Sequence, residues 1–339
     1  MNKEKDYNKI INRLFILIGI GLLLHAIFLA YTIDPKSFEL LYQIKWYYLV
    51  LITILAISPW IGHAFRIVMW SRWLDYPISF KSAFAIVMAN DIGAAITPTA
   101  VGGGPVKIGM LVNKGMPAPK ATFMVLLSAT EDIIFYGTGI VLTLLYMHHV
   151  IEQLGAYLLK HSSLLIGLSI FLLAIILGWK TVKLIIKKIL SYFPESWQLR
   201  LSRFNAGLRH YFSDIGQTYL DVVKTGKWRL AVSIIILFYQ WFTKFTILAI
   251  ILISLDIPFT WFDMYIKQWI IWMGMLIIPT PGASGGAEAA FLVLFKGSLS
   301  GDLPNLIVST WRFFTYYFIL ILSVILFNML KGQLMKKGQ

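Results

Sequence analysis

Pro98-Thr99-Ala100-Val101-Gly102-Gly103 and Pro281-Gly282-Ala283-Ser284-Gly285-Gly286 repeat one phrase, Pro-x-x-x-Gly-Gly, in two apolar stretches of a 339-residue chain. The flanks repeat with it. Leu74-Asp75-Tyr76-Pro77 stands ahead of the first copy and Leu255-Asp256-Ile257-Pro258 ahead of the second, while Lys114-Gly115 and Lys296-Gly297 follow. Proline and glycine break helices, and non-helical backbone at membrane depth survives only where protein buries it or a water-filled cavity lines it. Each copy therefore predicts a broken segment inside a membrane, and the pair marks a candidate transport site.

The rest of the chain fits that setting. A mean hydropathy of +0.74, with 58% apolar and 14% charged residues, describes a polytopic membrane protein rather than a soluble domain. The first apolar stretch, Ile10 to Ile33, exceeds a signal-peptide core and lacks a small-residue cleavage site, so it reads as a retained span. Residues 1–339 are expected to form a single integral membrane domain without a soluble catalytic part. The lack of cysteine excludes disulfides, thiolate nucleophiles and Cys-based metal sites. Six scattered histidines suggest neither a metal site nor a cofactor. The net charge of +14 reads as the cytoplasmic bias of Lys and Arg in membrane proteins, not as a nucleic-acid footprint.

Six stretches have the length of full spans, about 11–33, 47–69, 121–147, 163–180, 231–255 and 305–330. Two broken stretches, about 83–112 and 263–296, remain to be placed. Ten of the 30 basic residues lie between Lys180 and Arg229, whereas the opposite loops carry only Lys36, Lys45 and Lys160. Letting the first broken stretch cross once would export that ten-charge connection, against the positive-inside tendency. Both broken stretches are therefore expected to be re-entrant hairpins, with both termini cytoplasmic.

Span, hairpin, span over 47–147 then matches span, hairpin, span over 231–330 in opposite orientation. Ser128 and Glu131 fall opposite Ser309 and Arg312, and Phe135-Tyr136 opposite Tyr316-Tyr317, at the offset of the Leu-Asp-x-Pro pair. The expected fold is all-α and integral to the membrane, with six transmembrane helices and two oppositely oriented re-entrant hairpins in an inverted-topology repeat. The connection 189–226 mixes Arg200, Arg203, Arg209 and Lys224 with Tyr192, Phe193, Trp197, Phe204, Leu208, Tyr211 and Phe212. It reads either as an amphipathic helix lying on the cytoplasmic face or as a plain basic loop.

Broken helices leave free N–H groups, and glycines let an anionic group approach them closely. In the first hairpin the candidate binding residues are Asn90, Asp91, Thr97, Thr99, Gly102, Gly103, Gly104 and Lys107. In the second they are Thr280, Ser284, Gly285 and Gly286, with Glu288 beside them. A phosphate suits this arrangement best. A single glycine cluster would be explained by close helix packing, and no Gly-Lys-Ser/Thr ending points to a nucleotide loop.

Charges at membrane depth cost about 2.5–3.5 kcal/mol on insertion scales and normally face the bundle interior. Glu131 and Asp132 lie inside one span, and Arg312 holds the position equivalent to Glu131. Packing about a pseudo-two-fold axis would bring Glu131 and Arg312 together, as a gate, a coupling pair or a structural ion pair. Lys244 is deep enough to serve the ligand, whereas Arg66, with His63 and Arg72, reads as snorkelling to the cytoplasmic surface. Trp60, Trp70, Trp73, Trp261, Trp269, Trp272 and Trp311 read mainly as an aromatic belt.

Ile278-Pro279-Thr280-Pro281-Gly282-Ala283-Ser284-Gly285-Gly286-Ala287-Glu288 resembles the signature of the flippase-like membrane domain of bacterial lysylphosphatidylglycerol synthases, a domain that also occurs as standalone proteins. Asn90-Asp91-Ile92-Gly93 through Thr97-Pro98 to Gly102-Gly103-Gly104-Pro105 resembles its upstream motif, so the similarity runs over nearly the whole chain. The resemblance implies translocation of a phospholipid headgroup across the cytoplasmic membrane of a bacterium, with aminoacylated phosphatidylglycerol as one cargo. The sequence ends at Gln339, and an aminoacyl-transferase domain of the fused synthases is not expected. The expected activity is lipid translocation by alternating access, of an anionic or aminoacylated phospholipid or a polyprenyl-phosphate-type lipid, with Glu131, Asp132, Glu288 or Arg312 gating or coupling. Group transfer to a lipid inside the membrane, and ion or small-solute transport, stay open as alternatives. The expected partners are membrane lipids with anionic headgroups, and self-association stays open.

Overall fold

A computed structural model describes residues 39–95, 97, 101–146, 195–276, 278, 285–295, 299 and 303–335. The expected spans at 11–33 and 163–180 lie outside the described residues. Among the described residues the regular structure is helical and no β-strand occurs. The chain divides into two compact units, residues 1–139 with 219–339, and residues 140–218. Both copies of the repeated phrase belong to the first.

After a short turn of helix, α1 (Glu39–Tyr42), the chain forms α2 (Trp46–Trp73), a 28-residue apolar helix long enough to span a membrane. Pro59 interrupts it chemically, because proline has no N–H for the carbonyl four residues back. Ser58 repairs the gap locally, donating its hydroxyl to Leu55 O at 3.1 Å. The helix ends at a left-handed Asp75 (φ 64), with Tyr76 N donating to Ser71 O at 2.9 Å, the 6→1 bond of a Schellman cap.

Helices α3 (Phe80–Ala95) and α4 (Gly103–Asn113) follow and pack on each other. At 1.5 Å per residue they rise only about 24 and 16 Å, short of the ~30 Å hydrocarbon thickness. Their contact depends on glycine. A Cβ on Gly102 would lie 2.5 Å from Thr97 Cγ2 and 2.6 Å from the Gly93 carbonyl oxygen, and one on Gly103 would lie 2.9 Å from Asn90 O. Gly102→Ala is therefore expected to destabilise the protein by about 1–3 kcal/mol through overpacking. On the same hairpin, Gly109 has nothing within 4 Å of its Cβ position, so Gly109→Ala should be neutral or slightly stabilising. Unfolding of both variants in detergent checks this; equal stability of the two would refute the close-crossing explanation.

Helix α5 (Ala118–Tyr146), also long and apolar enough to span, closes this half. Helix α6 (Glu195–Thr225) leads on to α7 (Lys227–Ser254), also 28 residues and also long enough to span. Its boundaries are those of α2 moved by 181 residues, Trp46 to Lys227 and Trp73 to Ser254. The same cap returns at the same offset: Asp256 has φ 54 and Ile257 N donates to Leu252 O at 3.0 Å. Two short packed helices follow again, α8 (Trp261–Met275) and α9 (Gly286–Leu294). The last span comprises α10 (Leu303–Arg312), a π turn (Phe313–Tyr317) and α11 (Phe318–Met335). No counterpart of the π turn interrupts α5.

The two halves meet along α2 and α7, the most extensive helix pair among the described residues. Gln240, 181 residues after Pro59, donates its side-chain amide to Pro59 O, so equivalent residues touch where the halves join. Helix α3 lies between α2 and α11, which places the first hairpin against both halves.

Helix α6 accounts for the helical reading of the connection over 195–225; residues 189–194 lie outside the described residues. Leu208, Phe212, Leu220 and Val223 are exposed on it, while Ile215 and Val222 are buried. Tyr219 stacks edge-on against Phe123 at 4.8 Å. The aromatic-belt expectation needs correction: Trp60, Trp70, Trp269 and Trp311 are buried, and Trp261 is exposed. Stacks such as Phe135 on Trp241 (4.8 Å) and on Trp269 (4.7 Å) draw these rings inward.

Candidate functional site

Helices α2, α3, α5, α7 and the π turn enclose a cavity of about 400 Å³ lined by His63, Arg66, Asn90, Asp91, Asp132, Gln240 and Lys244. A second cavity of about 300 Å³ is lined by Tyr136, Trp272, Met275, Leu276, Ile319, Leu320 and Arg312. Asp91, Trp241, Lys244, Thr315 and Ile319 line both. The first chamber holds most of the charged and polar lining residues and is the polar one by comparison; the second is mainly apolar apart from Arg312, with a carboxylate and an ammonium at their junction.

The residues at the junction are held by neutral or aromatic neighbours. Trp60 Nε1 donates to Asp91 Oδ2 at 2.8 Å, and Asn90 Nδ2 donates to Asp91 Oδ1 at 3.1 Å. The Lys244 ammonium lies 3.8 Å from the Trp272 ring centroid and 5.1 Å from that of Trp241, a cation–π setting that restrains the charge without neutralising it. Trp60 and Trp241 are repeat equivalents, as are His63 and Lys244, and all four line the polar chamber.

Around this core stand two buried ion pairs. Arg66 bonds Glu131, and Arg312 Nε donates to Glu288 Oε1 at 2.8 Å. The sequence set Glu131 against Arg312; in the fold each has another partner. Arg66 is the larger correction. It is buried and does not snorkel, because Ser233 Oγ (3.0 Å) and Gln240 Oε1 (3.1 Å) of α7 accept its N–H groups beside Glu131. An arginine one helical turn before a span's end looks like a surface anchor in sequence; only the approach of α7 supplies acceptors that hold it inside.

The glycine cradles also differ from expectation. Gly102 N donates to Thr97 Oγ1 at 2.8 Å, and Thr97 donates to Gly93 O at 3.0 Å. Gly285 (φ +84) donates its N–H to Glu288 Oε2 at 2.7 Å. These donors close their own hairpin ends. Gly103 packs on Asn90, Gly104 has Val125 Cγ1 3.2 Å from its Cβ position, and a Cβ on Gly286 would overlap Ile278, so close packing accounts for them. Lys107 is buried behind the polar chamber, its Nζ 3.1 Å from His63 Nε2 and 3.2 Å from Ser128 Oγ. Of the candidate residues, Asn90, Asp91, Asp132, Lys244 and Arg312 line the two chambers; Thr99, Thr280 and Ser284 lie outside the described residues. Trp60, Gln240 and Trp241 were not singled out for the site in sequence. Gln240 has a signal there, a polar residue deep in a span at the repeat position of a proline.

Apolar helices of spanning length around buried charges and a polar cavity define a helical membrane protein of the polytopic class. The chain belongs to the family described as the lysylphosphatidylglycerol synthase TM region, whose sequence model matches residues 16–323. It is 25% identical over 300 residues to a UPF0104 membrane protein of Archaeoglobus fulgidus, covering 86% of this chain and 89% of that protein. No solved structure matches the chain.

Proposed function

We propose that this protein moves a phosphate-bearing lipid between the leaflets of a cytoplasmic membrane by alternating access. The observation that carries this reading is the joining of a polar chamber to an apolar one at Asp91 and Lys244. An amphipathic ligand has the same division: its headgroup matches the first chamber and its hydrocarbon the second. Lys244 supplies the charge for a phosphate. Asp91 and Asp132 are suited to an ammonium or hydroxyl on the same headgroup, which keeps anionic, aminoacylated and polyprenyl-phosphate lipids in the cargo class.

In this reading the short helix pairs α3–α4 and α8–α9 enter and leave the membrane on one side each, from opposite faces. The 181-residue recurrence of helix ends and caps supports an inverted repeat, an architecture associated with rocking transporters. Six spans and two re-entrant hairpins then place both termini in the cytoplasm. The exposed apolar stripe of α6, with Arg209 and Lys224 on the same helix, suits a helix resting on the membrane surface. The family match adds a link to a lipid-synthesising system.

The test is reconstitution into liposomes carrying a reporter phospholipid in both leaflets, with a membrane-impermeant reagent added outside. Protein-dependent loss of the inner-leaflet signal is expected, for lipids bearing phosphate. Protein that carries ions or soluble solutes across the same liposomes, yet leaves lipid asymmetry intact, would overturn the lipid assignment. Covalent conversion of the lipid instead of its movement would favour an intramembrane transferase.

A further inference from the structure

Three positions recur between the halves, two of them with their charges reversed and the third a serine in both. Lys107, Ser128 and Glu131 of the first correspond to Glu288, Ser309 and Arg312 of the second, each 181 residues later. In both halves the first residue sits on a hairpin helix and the other two on the following span, one helical turn apart. All six are buried or reach into buried surroundings.

The two halves use these positions differently. In the second, Glu288 is bonded to the charged residue, Arg312, and Ser309 Oγ is buried with no hydrogen-bond partner among the described residues. In the first, Lys107 is bonded to the serine, Ser128, and Glu131 Oε1 is buried with no partner among the described residues, its other oxygen being held by Arg66. One hairpin therefore rests on its serine, with His63 of α2 as a second neighbour of Lys107, and the other on its charged station. The station each hairpin does not use carries a buried atom without a hydrogen-bond partner among the described residues, Glu131 Oε1 or Ser309 Oγ.

We propose that the hairpins step in opposite directions between these stations when the protein changes state. This rests on the alternating-access reading above, in which inverted repeats exchange conformations. In the opposite state Lys107 moves one turn, about 5 Å, from Ser128 to Glu131, while Glu288 moves one turn from Arg312 to Ser309. Glu131 Oε1 and Ser309 Oγ gain partners as Ser128 and Arg312 give theirs up. Arg66 keeps Ser233 and Gln240 and shares Glu131 with Lys107. Discrete one-turn steps of this kind suit packed helices, which switch between arrangements rather than deform continuously. With Arg66 still on Glu131, two buried ion pairs persist in the opposite state, and Arg312, released by Glu288, keeps the Tyr316 ring and the chamber it lines.

The native chain has no cysteine, so a single introduced thiol reports accessibility. Ala56→Cys in the polar chamber and Ala95→Cys in the apolar one, labelled with an impermeant maleimide in oriented vesicles, give two reporters; the slower one follows the less populated state. Ser128→Ala removes a station used in the present state and should raise that rate about fivefold, whereas Ser309→Ala removes a station of the opposite state and should lower it about fivefold, the worth of one buried hydrogen bond. Shifts of the same sign, or none in either variant, in protein that remains monodisperse, would overturn the stepping mechanism. The readout is independent of cargo. Opposite shifts without lipid movement would leave the steps standing and remove the lipid assignment; lipid movement without opposite shifts would do the reverse.

Discussion

Arg312→Ala is expected to cost about 3–5 kcal/mol of stability, because it leaves the Glu288 carboxylate buried without its cation. Arg312 is fully buried and Glu288 is 6% exposed, so both charges have given up nearly all their bulk hydration and depend on each other. The backbone N–H of Gly285 still donates to Glu288 Oε2, but one neutral donor does not compensate a charge. Removing both charges has a different outcome. The double variant Arg312→Leu with Glu288→Leu should recover most of the loss, since the desolvation cost of the pair disappears with the pair. Unfolding by steric trapping in bicelles gives all three values. If the single variant loses under about 1 kcal/mol, or the double variant loses as much as the single one, the pair is not the buried electrostatic contact described here. Arg312 also lies over the Tyr316 ring at 4.8 Å, and leucine retains part of that packing.

Lys244→Gln is expected to slow lipid movement at least tenfold while leaving the fold intact. Among the described residues Lys244 makes no ion pair; its ammonium lies over the faces of Trp272 and Trp241. Its charge is therefore available to a ligand, and a hydrogen bond to a charged group is worth about 1.5–3 kcal/mol, a factor of ten or more in rate if it is made during translocation. Glutamine keeps a donor and most of the volume but not the charge. Lys244→Arg should retain a measurable part of the activity, since the charge returns on a different geometry. Asp91→Asn distinguishes cargo types: it should hinder a lipid with an ammonium and spare one that carries only phosphate. Reconstituted flux per inserted protein decides each case. Unchanged flux in Lys244→Gln would exclude contact between this lysine and the moving headgroup.

Much of the architecture was legible because membrane helices announce themselves by length and hydropathy, and helix breakers by residue type. The apolar stretches at 47–69, 121–147, 231–255 and 305–330 became helices long and apolar enough to span a membrane, and the paired Leu-Asp-x-Pro phrases became paired helix caps with left-handed aspartates. Cap chemistry is local: a few adjacent residues specify the turn. Side-chain partnership is not local. Glu131 and Arg312 occupy equivalent places in sequence, yet a pseudo-symmetric position predicts only an equivalent environment, and here each residue bonds within its own half. Arg66 looked like a surface anchor because nothing adjacent in sequence reveals Ser233 and Gln240, which lie 167 and 174 residues away.

By itself the sequence determined that this is a polytopic helical membrane protein built from two related halves, each broken at a Pro-x-x-x-Gly-Gly phrase. Hydrophobic length, helix-breaking residues and an exact recurrence of positions carry that information along the chain. Tertiary structure alone decided which buried charges neutralise each other, that Gly102, Gly103 and Gly286 serve close packing at the hairpins, and that Asp91 and Lys244 stand where a polar and an apolar chamber join. Those outcomes depend on helix approach within a few ångströms, and electrostatic and hydrogen-bond partners are chosen at that range, not by spacing in sequence.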